Sequence, residues 1–168
     1  MTSQLMGSAS PTPAYNDEGK FYPAKEILPG LWIGSEGDAR NPEFMATKGI
    51  RLVVNCSRNI PVYTSLPTYR VPVDDDPAED PVIIKHWPVS SVAIDDVLSH
   101  GGSVLVHCRA GMQRSAATVA AYLMWKFGFD AKTAMKRIND LKRETFYPTP
   151  TFVKALHKWG RQLGRQRK

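Results

Sequence analysis

The chain has 168 residues, of which 42% are hydrophobic, and this is enough to build the core of one domain. Its two cysteines are too few for the disulfide framework of a small secreted protein, and no apolar run is long enough to cross a membrane. The first residues are polar, and Thr2 stands where N-myristoylation needs glycine. We therefore expect a soluble protein of the cytoplasm, with the nucleus as a second compartment.

The positive charge of the chain is concentrated near its C-terminal end. The formal net charge is +6, and residues 126–168 carry 12 basic against 3 acidic residues. Such an excess attracts anionic partners, although a solvated helix face is the simpler interpretation.

The N-terminal part of the chain alternates between strands and helices. Residues 1–25, rich in Ser, Thr, Pro and Gly, are expected to form a tail or arm ahead of the domain. Short runs with β-branched residues then predict strands at Leu31–Ile33, Arg51–Cys56, Tyr69–Val73 and Ser103–His107. Helices are predicted over Pro42–Lys48 and Val82–Ser99, and we expect Pro88 to break or kink the second. This alternation predicts an α/β domain with a largely parallel sheet.

The C-terminal third is helical in pattern. Residues 114–127 are small or apolar almost all round, which is typical of a buried helix, and Gly128 supplies its stop. Asp130 is placed to cap a following helix. A last helix is expected to begin near Thr149–Pro150, with the threonine as its cap and the proline in its first turn.

The chemistry is carried by residues 104–115, VLVHCRAGMQRS. They predict a strand, a short loop and a helix, with Cys108 at the strand exit and Arg114 at the helix start. The loop amides, the helix N-terminus and the backbone freedom of Gly111 together form a cradle for a phosphate-like anion. The same groups and His107 favour the thiolate of Cys108, which makes it a nucleophile aimed at bound phosphorus. Arg114 can hold two phosphoryl oxygens at once.

The segment Cys108–Ser115, preceded by Val-His, resembles the signature of the cysteine-dependent protein tyrosine phosphatases, and its surroundings resemble the dual-specificity branch. The match extends to Ile27–Ser35, Gly49–Asn55 and Tyr122–Met124. The resemblance implies a single α/β domain with a twisted, mostly parallel sheet of about five strands flanked by helices. We expect this catalytic domain over residues 26–163 and a basic tail over residues 164–168.

Cleavage of a phosphate ester also needs a general acid, because the leaving oxygen must be protonated as the bond breaks. The loop Val71–Pro77 contains three aspartates and follows a predicted strand, so it lies on the same sheet edge as the cradle. Alignment with the family's Ile-Pro-x-x-Asp pattern selects Asp75. Asp76 is the alternative, and Asp74 is less favoured because strand alternation turns it the other way. The cluster lacks the glycine and spaced ligands of a calcium loop, so no metal is expected.

The resemblance implies a role for each of these residues. Cys108 attacks phosphorus to form a phosphocysteine, Asp75 protonates the leaving oxygen and then activates water, and the hydroxyl of Ser115 donates to the cysteine sulfur. His107 is expected to orient the phosphate loop and Asn55 to brace it, and no cofactor is required. The residues expected to bind phosphate are Arg109, Ala110, Gly111, Met112, Gln113 and Arg114.

Three further features are not part of this mechanism. Cys56 is most simply a small core residue, and the competing hypothesis is a protective disulfide with Cys108 after oxidation. The family's Pro-Asn-x-x-Phe pattern before the last helix reads Pro148–Phe152 here, so an Asn contact is lost. The Pro-rich stretch Arg58–Pro67 departs from the family, and we expect it beside the pocket, where it could set substrate choice.

The favoured function is a dual-specificity protein phosphatase acting on phosphotyrosine and on phosphoserine or phosphothreonine, because no motif of the deep-pocket tyrosine-specific branch is visible. The alternative is a nonprotein substrate, an RNA 5′-phosphate end or a phosphoinositide. Arg109 favours an anionic substrate, but Met112 stands where the phosphoinositide-directed relatives tend to place a second Lys. An inactive phosphate-binding adaptor would lack Cys108, Arg114 or the acid. The expected partner is therefore a phosphorylated protein, nucleic acid is less favoured, and the oligomeric state stays open.

Overall fold

The structure, a computed structural model, describes residues 22–167. Most of the expected N-terminal tail and Lys168 lie outside the described residues. The strands are β1 (Lys25–Leu28), β2 (Leu31–Gly34), β3 (Ile50–Asn55), β4 (Thr68–Arg70) and β5 (Ser103–His107). The helices are α1 (Glu36–Ala39), α2 (Pro42–Thr47), α3 (Asp80–Ser99), α4 (Arg114–Phe127), α5 (Ala131–Leu141) and α6 (Val153–Gln166), and a 3₁₀ turn at Pro77–Glu79 precedes α3.

The strands form one five-stranded sheet in the order β1-β2-β5-β3-β4. β1 and β2 make an antiparallel hairpin, and the other neighbours are parallel, which confirms the mostly parallel α/β sheet expected from the sequence. His107 on β5 is paired with Gly34 on one side and with Asn55 on the other, and Asn55 is paired in turn with Arg70. Because parallel strands end at the same edge, the segments that follow β2, β3, β4 and β5 meet there.

Helices cover both faces of this sheet. Alternate side chains of β5 point to opposite sides: Val104 and Val106 belong to the main core with α3, α4, α5 and α6, whereas Leu105 packs with Ala39 and Met45 of α1 and α2. Within the main core, α4 is buried along residues 115–124, as its small and apolar side chains predict. The N-terminus of this central helix therefore has a fixed position at the sheet edge.

Two expectations about proline and strand length need correction. Of the break or kink expected at Pro88, the break is wrong, because α3 continues from Asp80 to Ser99. Pro88 itself is exposed, while Trp87 and Ser91 on either side of it are buried, so packing holds the helix through the proline. β4 ends at Arg70 rather than Val73, since Pro72 has no N–H to donate to a ladder.

The boundaries near the chain ends also differ from expectation. β1 begins at Lys25, inside the expected tail, and α6 continues to Gln166, past residue 163. α6 begins at Val153, and Thr149 is not its cap. The reason lies in Gln113, whose side-chain amide donates to the carbonyl of Thr149 and accepts from the N–H of Thr151, both at 3.0 Å. These backbone groups are satisfied without a helix.

Candidate active site

The edge where the parallel strands end brings the predicted catalytic residues together. Cys108 follows β5 directly, residues 109–113 form a loop, and Arg114 opens α4. Asp75 lies in the segment that follows β4. The two segments are in contact, since Nη1 of Arg114 donates to the carbonyl oxygen of Val73 at 3.1 Å.

The loop between Cys108 and Arg114 is held from two sides. Its Arg109 carbonyl accepts from the N–H of Glu36 at 3.1 Å, and its Met112 carbonyl accepts from the N–H of Phe146 at 2.8 Å. Gly111 has a φ of 74°, and a Cβ added there would lie 2.8 Å from the carbonyl oxygen of Gly34. Only glycine fits this position without displacing backbone, as the sequence predicts.

The surroundings of Cys108 favour its ionised form. Burial of the thiol opposes ionisation, but the Arg114 guanidinium, the Ser115 hydroxyl and the backbone amides of Ser115 and Gly111 outweigh it. The pKa of Cys108 therefore lies below its ordinary value. A buried thiolate held by an arginine and oriented amides is a nucleophile ready to attack an electrophile in the loop.

Ser115 lies directly beside this sulfur. Its Oγ is 3.2 Å from Sγ of Cys108, and the residue is fully buried in the first turn of α4. A hydroxyl in this position can donate to a thiolate both before attack and when the thiolate is released. The Ser115 hydroxyl is therefore within hydrogen-bond distance of the Cys108 sulfur.

His107 contributes differently from what the sequence led us to expect. Burial lowers the pKa of its imidazole to about 4, so the ring is neutral near pH 7 and supplies no positive charge to the thiolate. Its Nδ1 lies 3.4 Å from the carbonyl oxygen of Cys108. This contact leaves the expected orienting role of His107 at the start of the loop as a prediction.

The three aspartates after β4 have different environments. The carboxylate of Asp76 caps the 3₁₀ turn, accepting from the N–H of Ala78 at 2.8 Å. The carboxylate of Asp74 lies 3.4 Å from Nε of Arg58. Within residues 22–167 the carboxylate of Asp75 has neither a hydrogen bond nor an ion pair, and it is exposed. This arrangement favours Asp75 over Asp76 as the residue available to a substrate.

Arg58 is a residue whose role in this site the sequence did not reveal. Its Nε and Nη2 donate to Oε1 of Glu79 at 3.0 and 2.5 Å, and the same oxygen accepts from the N–H of Asp74 at 3.1 Å. Arg58 and Glu79 therefore hold the segment that carries Asp75 against the loop that follows β3. The two partners are 21 residues apart, so no local spacing pattern indicates the pair.

Asn55 does not brace the phosphate loop through its side chain, which corrects our expectation. Its Nδ2 donates to the carbonyl of Ile60 at 2.9 Å, and its Oδ1 accepts from Oγ of Ser57 at 2.6 Å. Arg70 adds hydrogen bonds to the carbonyls of Ser57 and Ile60. Asn55 thus organises the loop that presents Arg58, and its influence on the phosphate loop is indirect.

The Pro-rich stretch Arg58–Pro67 borders the phosphate loop, as expected. The phenol of Tyr63 donates to Oε2 of Glu36 at 2.5 Å, and the N–H of Glu36 holds the carbonyl of Arg109. Val62 and Tyr63 are 50% and 40% exposed, so this stretch presents apolar surface to solvent next to the residue that contacts Glu36.

Cys56 is a core residue whose backbone is hydrogen-bonded to His107, the residue before Cys108. It is fully buried, its thiol lies 3.5 Å from Oγ1 of Thr118, and its N–H donates to the carbonyl of His107 at 2.7 Å. Burial raises the pKa of the Cys56 thiol to about 12. The two cysteines at this site are therefore electrostatically opposite, one favoured as thiolate and one held as thiol.

The described residues contain neither a cluster of metal ligands nor a membrane-spanning helix. Residues 22–167 contain no group of three His, Cys, Asp or Glu side chains placed to hold a metal ion. None of the helices in this range is long and apolar enough to span a bilayer.

Comparison with known proteins agrees with this geometry. The family model "dual specificity phosphatase, catalytic domain" matches residues 31–162. The chain is 35% identical over 162 residues to human dual specificity phosphatase 28, covering 95% of this chain and 86% of that protein. It is 34% identical over 135 residues to mouse Slingshot homolog 3, covering 79% of this chain but only 20% of that longer phosphatase. The crystal structure of human DUSP28 superposes with a TM-score of 0.78 at 33% identity, covering 93% and 99% of the two chains.

Proposed function

Because this chain belongs to the dual specificity phosphatase family, we propose that Cys108, Arg114, Asp75 and Ser115 hydrolyse phosphate monoesters on proteins through a phosphocysteine intermediate. Membership makes the chain a protein phosphatase, that is, a phosphoric monoester hydrolase. The assignment of each step to a residue is our proposal. The observation that carries it is the buried Cys108 sulfur, 3.2 Å from the Ser115 hydroxyl in a loop closed by Arg114.

In the first step the Cys108 thiolate attacks the phosphorus of the bound monoester. An S–P bond forms as the P–O bond to the substrate breaks, and the carboxylic acid of Asp75 gives its proton to the departing oxygen. Arg114 balances the charge on the phosphoryl oxygens with the N–H groups that do not bind Val73. The product alcohol or phenol leaves neutral.

In the second step water hydrolyses the phosphocysteine. The Asp75 carboxylate takes a proton from the attacking water, an O–P bond forms, and the S–P bond breaks to return the thiolate. The Ser115 hydroxyl donates to the sulfur as negative charge develops on it. Both steps use groups of the chain itself, and inorganic phosphate is the second product.

The substrates we propose are phosphotyrosine and phosphoserine or phosphothreonine in proteins. The family membership supports a phosphoprotein, and the exposed Val62 and Tyr63 offer apolar contact to residues next to the phosphate. Asp75 is exposed, and within residues 22–167 no contact of its carboxyl favours a phenol over an aliphatic alcohol as the leaving group. Phosphotyrosine is the easier substrate chemically, because a phenol is the better leaving group.

Hydrolysis of 4-nitrophenyl phosphate in the presence of a chelator tests the proposed chemistry. We expect turnover that vanadate inhibits and that Cys108→Ser abolishes, with a phosphocysteine trapped by acid quench and mass spectrometry. Cys56→Ser is the matched control, since it changes a buried cysteine that touches no phosphate group. Inactivity of the wild-type protein in this assay would overturn the proposal.

A further inference from the structure

A groove beside the phosphate loop is not used by the mechanism above. It has a volume of about 560 Å³ and lies between α5 and the segment that joins α5 to α6. α5 contributes one face, at positions spaced by three and four residues, and the joining segment contributes the opposite wall. The lining residues that matter for binding are Lys132, Met135, Lys136, Arg143, Phe146 and Tyr147.

The wall formed by the joining segment is held in place by hydrogen bonds. Nδ2 of Asn139 donates to the carbonyls of Arg143 and Thr145 at 3.1 and 2.8 Å. Nε2 of Gln113 donates to the carbonyl of Tyr147 at 3.0 Å. The buried Lys142 pairs with Glu144 behind this wall. The groove therefore exists before any ligand arrives, which lowers the entropy cost of binding.

The same contacts join the groove to the phosphate loop. Gln113, which holds Tyr147, immediately precedes Arg114, and the N–H of Phe146 donates to the carbonyl of Met112. Tyr147 is 53% exposed, and it lines the groove on the side of the loop. An extended peptide advances about 3.3 Å per residue, so a substrate whose phosphate lies in the loop reaches the groove within a few residues.

The charged side chains that line the groove are positive. Lys132, Lys136 and Arg143 contribute positive charge, and among residues 22–167 no acidic residue lines the groove. Lys136 pairs with Asp140 at 2.8 Å, but both side chains are largely exposed, and such pairs exchange readily with other partners. The floor is apolar, with Met135 and Phe146 among its side chains. A concave, largely apolar site with three cations fits side chains of a peptide better than the continuous phosphate backbone of a nucleic acid.

We propose that this groove binds acidic residues, together with an apolar side chain, that flank the phosphorylated residue of a protein substrate. This inference rests on the proposed protein phosphatase function and narrows its substrate class. Acidic side chains pair with Lys132, Lys136 and Arg143, and the apolar side chain packs on Met135 and Phe146. It assigns a function to part of the C-terminal positive charge that binding of a single phosphate leaves unused.

The test compares phosphotyrosine peptides that differ only in whether the flanking positions are Glu or Gln. We expect wild-type kcat/KM to be about tenfold higher for the acidic peptide, which corresponds to about 1.4 kcal/mol, and this advantage to shrink as salt increases. In the double variant Lys132→Glu with Arg143→Glu, the preference should disappear. Its matched control is Lys158→Glu with Arg165→Glu, an equal change of charge at exposed positions of α6 outside the groove.

Four results would overturn the proposal that the groove binds acidic residues of a protein substrate. A wild-type protein without preference for the acidic peptide, or a groove variant that keeps the preference, overturns it. Equal losses in the groove variant and in the α6 control indicate a general charge effect and overturn it as well. So does an RNA with a 5′-phosphate end that is hydrolysed faster than either peptide and is insensitive to the groove variant.

Two measurements distinguish failure of the proposed peptide binding in the groove from failure of the proposed phosphatase chemistry. Binding of the two peptides to the full chain carrying Cys108→Ser, measured by fluorescence anisotropy, reports on the groove without any turnover. Hydrolysis of 4-nitrophenyl phosphate by the wild-type protein reports on the chemistry without any flanking residue. Tighter binding of the acidic peptide to Cys108→Ser is expected even if turnover proves slow.

Discussion

Arg114 and Val73 connect the two halves of the active site through one hydrogen bond, from Nη1 of the arginine to the backbone carbonyl at 3.1 Å. Arg114 begins the helix that follows the phosphate loop, and Val73 lies two residues before Asp75. The group that we propose to bind phosphoryl oxygens is thus hydrogen-bonded to the segment that carries the proposed general acid. Displacement of either segment changes the distance between Asp75 and the leaving oxygen, and catalysis is sensitive to such displacement.

Asp75→Asn should separate proton donation from phosphate binding. An amide cannot give up a proton, so we expect kcat for alkyl or peptide phosphates to fall about a hundredfold or more, with less loss for activated phenols. Binding of vanadate, measured as its inhibition constant, should stay near the wild-type value. Asp76→Asn is the matched control, because asparagine caps a helical turn as well as aspartate does. If instead Asp76→Asn lowered kcat by this amount and Asp75→Asn did not, Asp76 would be the general acid.

Arg58→Gln should weaken catalysis through the position of Asp75. The variant loses the contacts to Glu79 and Asp74 that hold the acid segment, so we expect kcat for a poor leaving group to fall about five- to tenfold, with little change for 4-nitrophenyl phosphate. Arg58→Lys should restore part of the loss. Arg161→Gln, an exposed arginine on α6, serves as control. A loss independent of the leaving group would mean that Arg58 acts on stability and not on the acid.

The sequence indicated Cys108 as the candidate nucleophile, together with its loop, because the residues concerned are close together in the chain. Cys108, Gly111, Arg114 and Ser115 lie within eight residues, and each is required there by the geometry of one loop and one helix start. Contacts between residues that are far apart in the chain leave no comparable spacing pattern in the sequence. The pairing of Arg58 with Glu79 depends on β3 and β4 being neighbours in the sheet. The contact of Gln113 with Thr149 depends on how the segment between α5 and α6 packs against the phosphate loop.

The helices show the same difference between features set by local contacts and features set by tertiary contacts. Gly128 and Asp130 mark their helix boundaries correctly, since a left-handed stop and a side-chain cap act within one turn. The break expected at Pro88 and the cap expected at Thr149 are wrong because tertiary contacts outweigh the local preference of these residues. The buried side chain of Trp87 keeps α3 packed next to its proline. The side-chain amide of Gln113 donates a hydrogen bond to the backbone carbonyl of Thr149.

The pH dependence of thiol reactivity should report the lowered pKa of Cys108. The thiolate is the reactive form, so alkylation by iodoacetamide rises as the pH rises through the pKa of Cys108 and then becomes constant. We expect the plateau below the pH at which an ordinary thiol, with its pKa of about 8.5, would reach it. Ser115→Ala removes a hydroxyl that lowers this pKa, so its curve should shift to higher pH. Coincident curves for the two proteins would contradict the role given to Ser115.

Cys56 should form a disulfide with Cys108 after oxidation by peroxide. Each cysteine directly follows one residue of the paired Asn55 and His107 on neighbouring strands. Adjacent strands are about 4.8 Å apart, which is within the Cα separation that a disulfide accepts. Because burial raises the pKa of Cys56 to about 12, the thiolate that attacks a Cys108 sulfenic acid is scarce, and the rate of linkage should increase with pH.

Mass spectrometry of digested, peroxide-treated protein measures this linkage. Cys56→Ser should recover less activity than the wild-type protein on addition of a thiol reductant, because its Cys108 proceeds to irreversible oxidation. If no peptide joins Cys56 to Cys108 and the variant recovers as well as the wild type, Cys56 is only a core residue.

Gly111→Ala should damage the phosphate loop more than the strain of its backbone alone accounts for. A left-handed backbone costs a non-glycine residue about 1–2 kcal/mol. At Gly111 the added Cβ would also lie 2.8 Å from the carbonyl oxygen of Gly34, so the loop that contacts Cys108 must shift. Gly101→Ala provides the control, since Gly101 has a similar φ of 79° with nothing within 4 Å of the added carbon. Both variants should lose thermal stability, but only Gly111→Ala should lose most of its kcat on 4-nitrophenyl phosphate. Similar activity in the two would show that the loop tolerates the displacement.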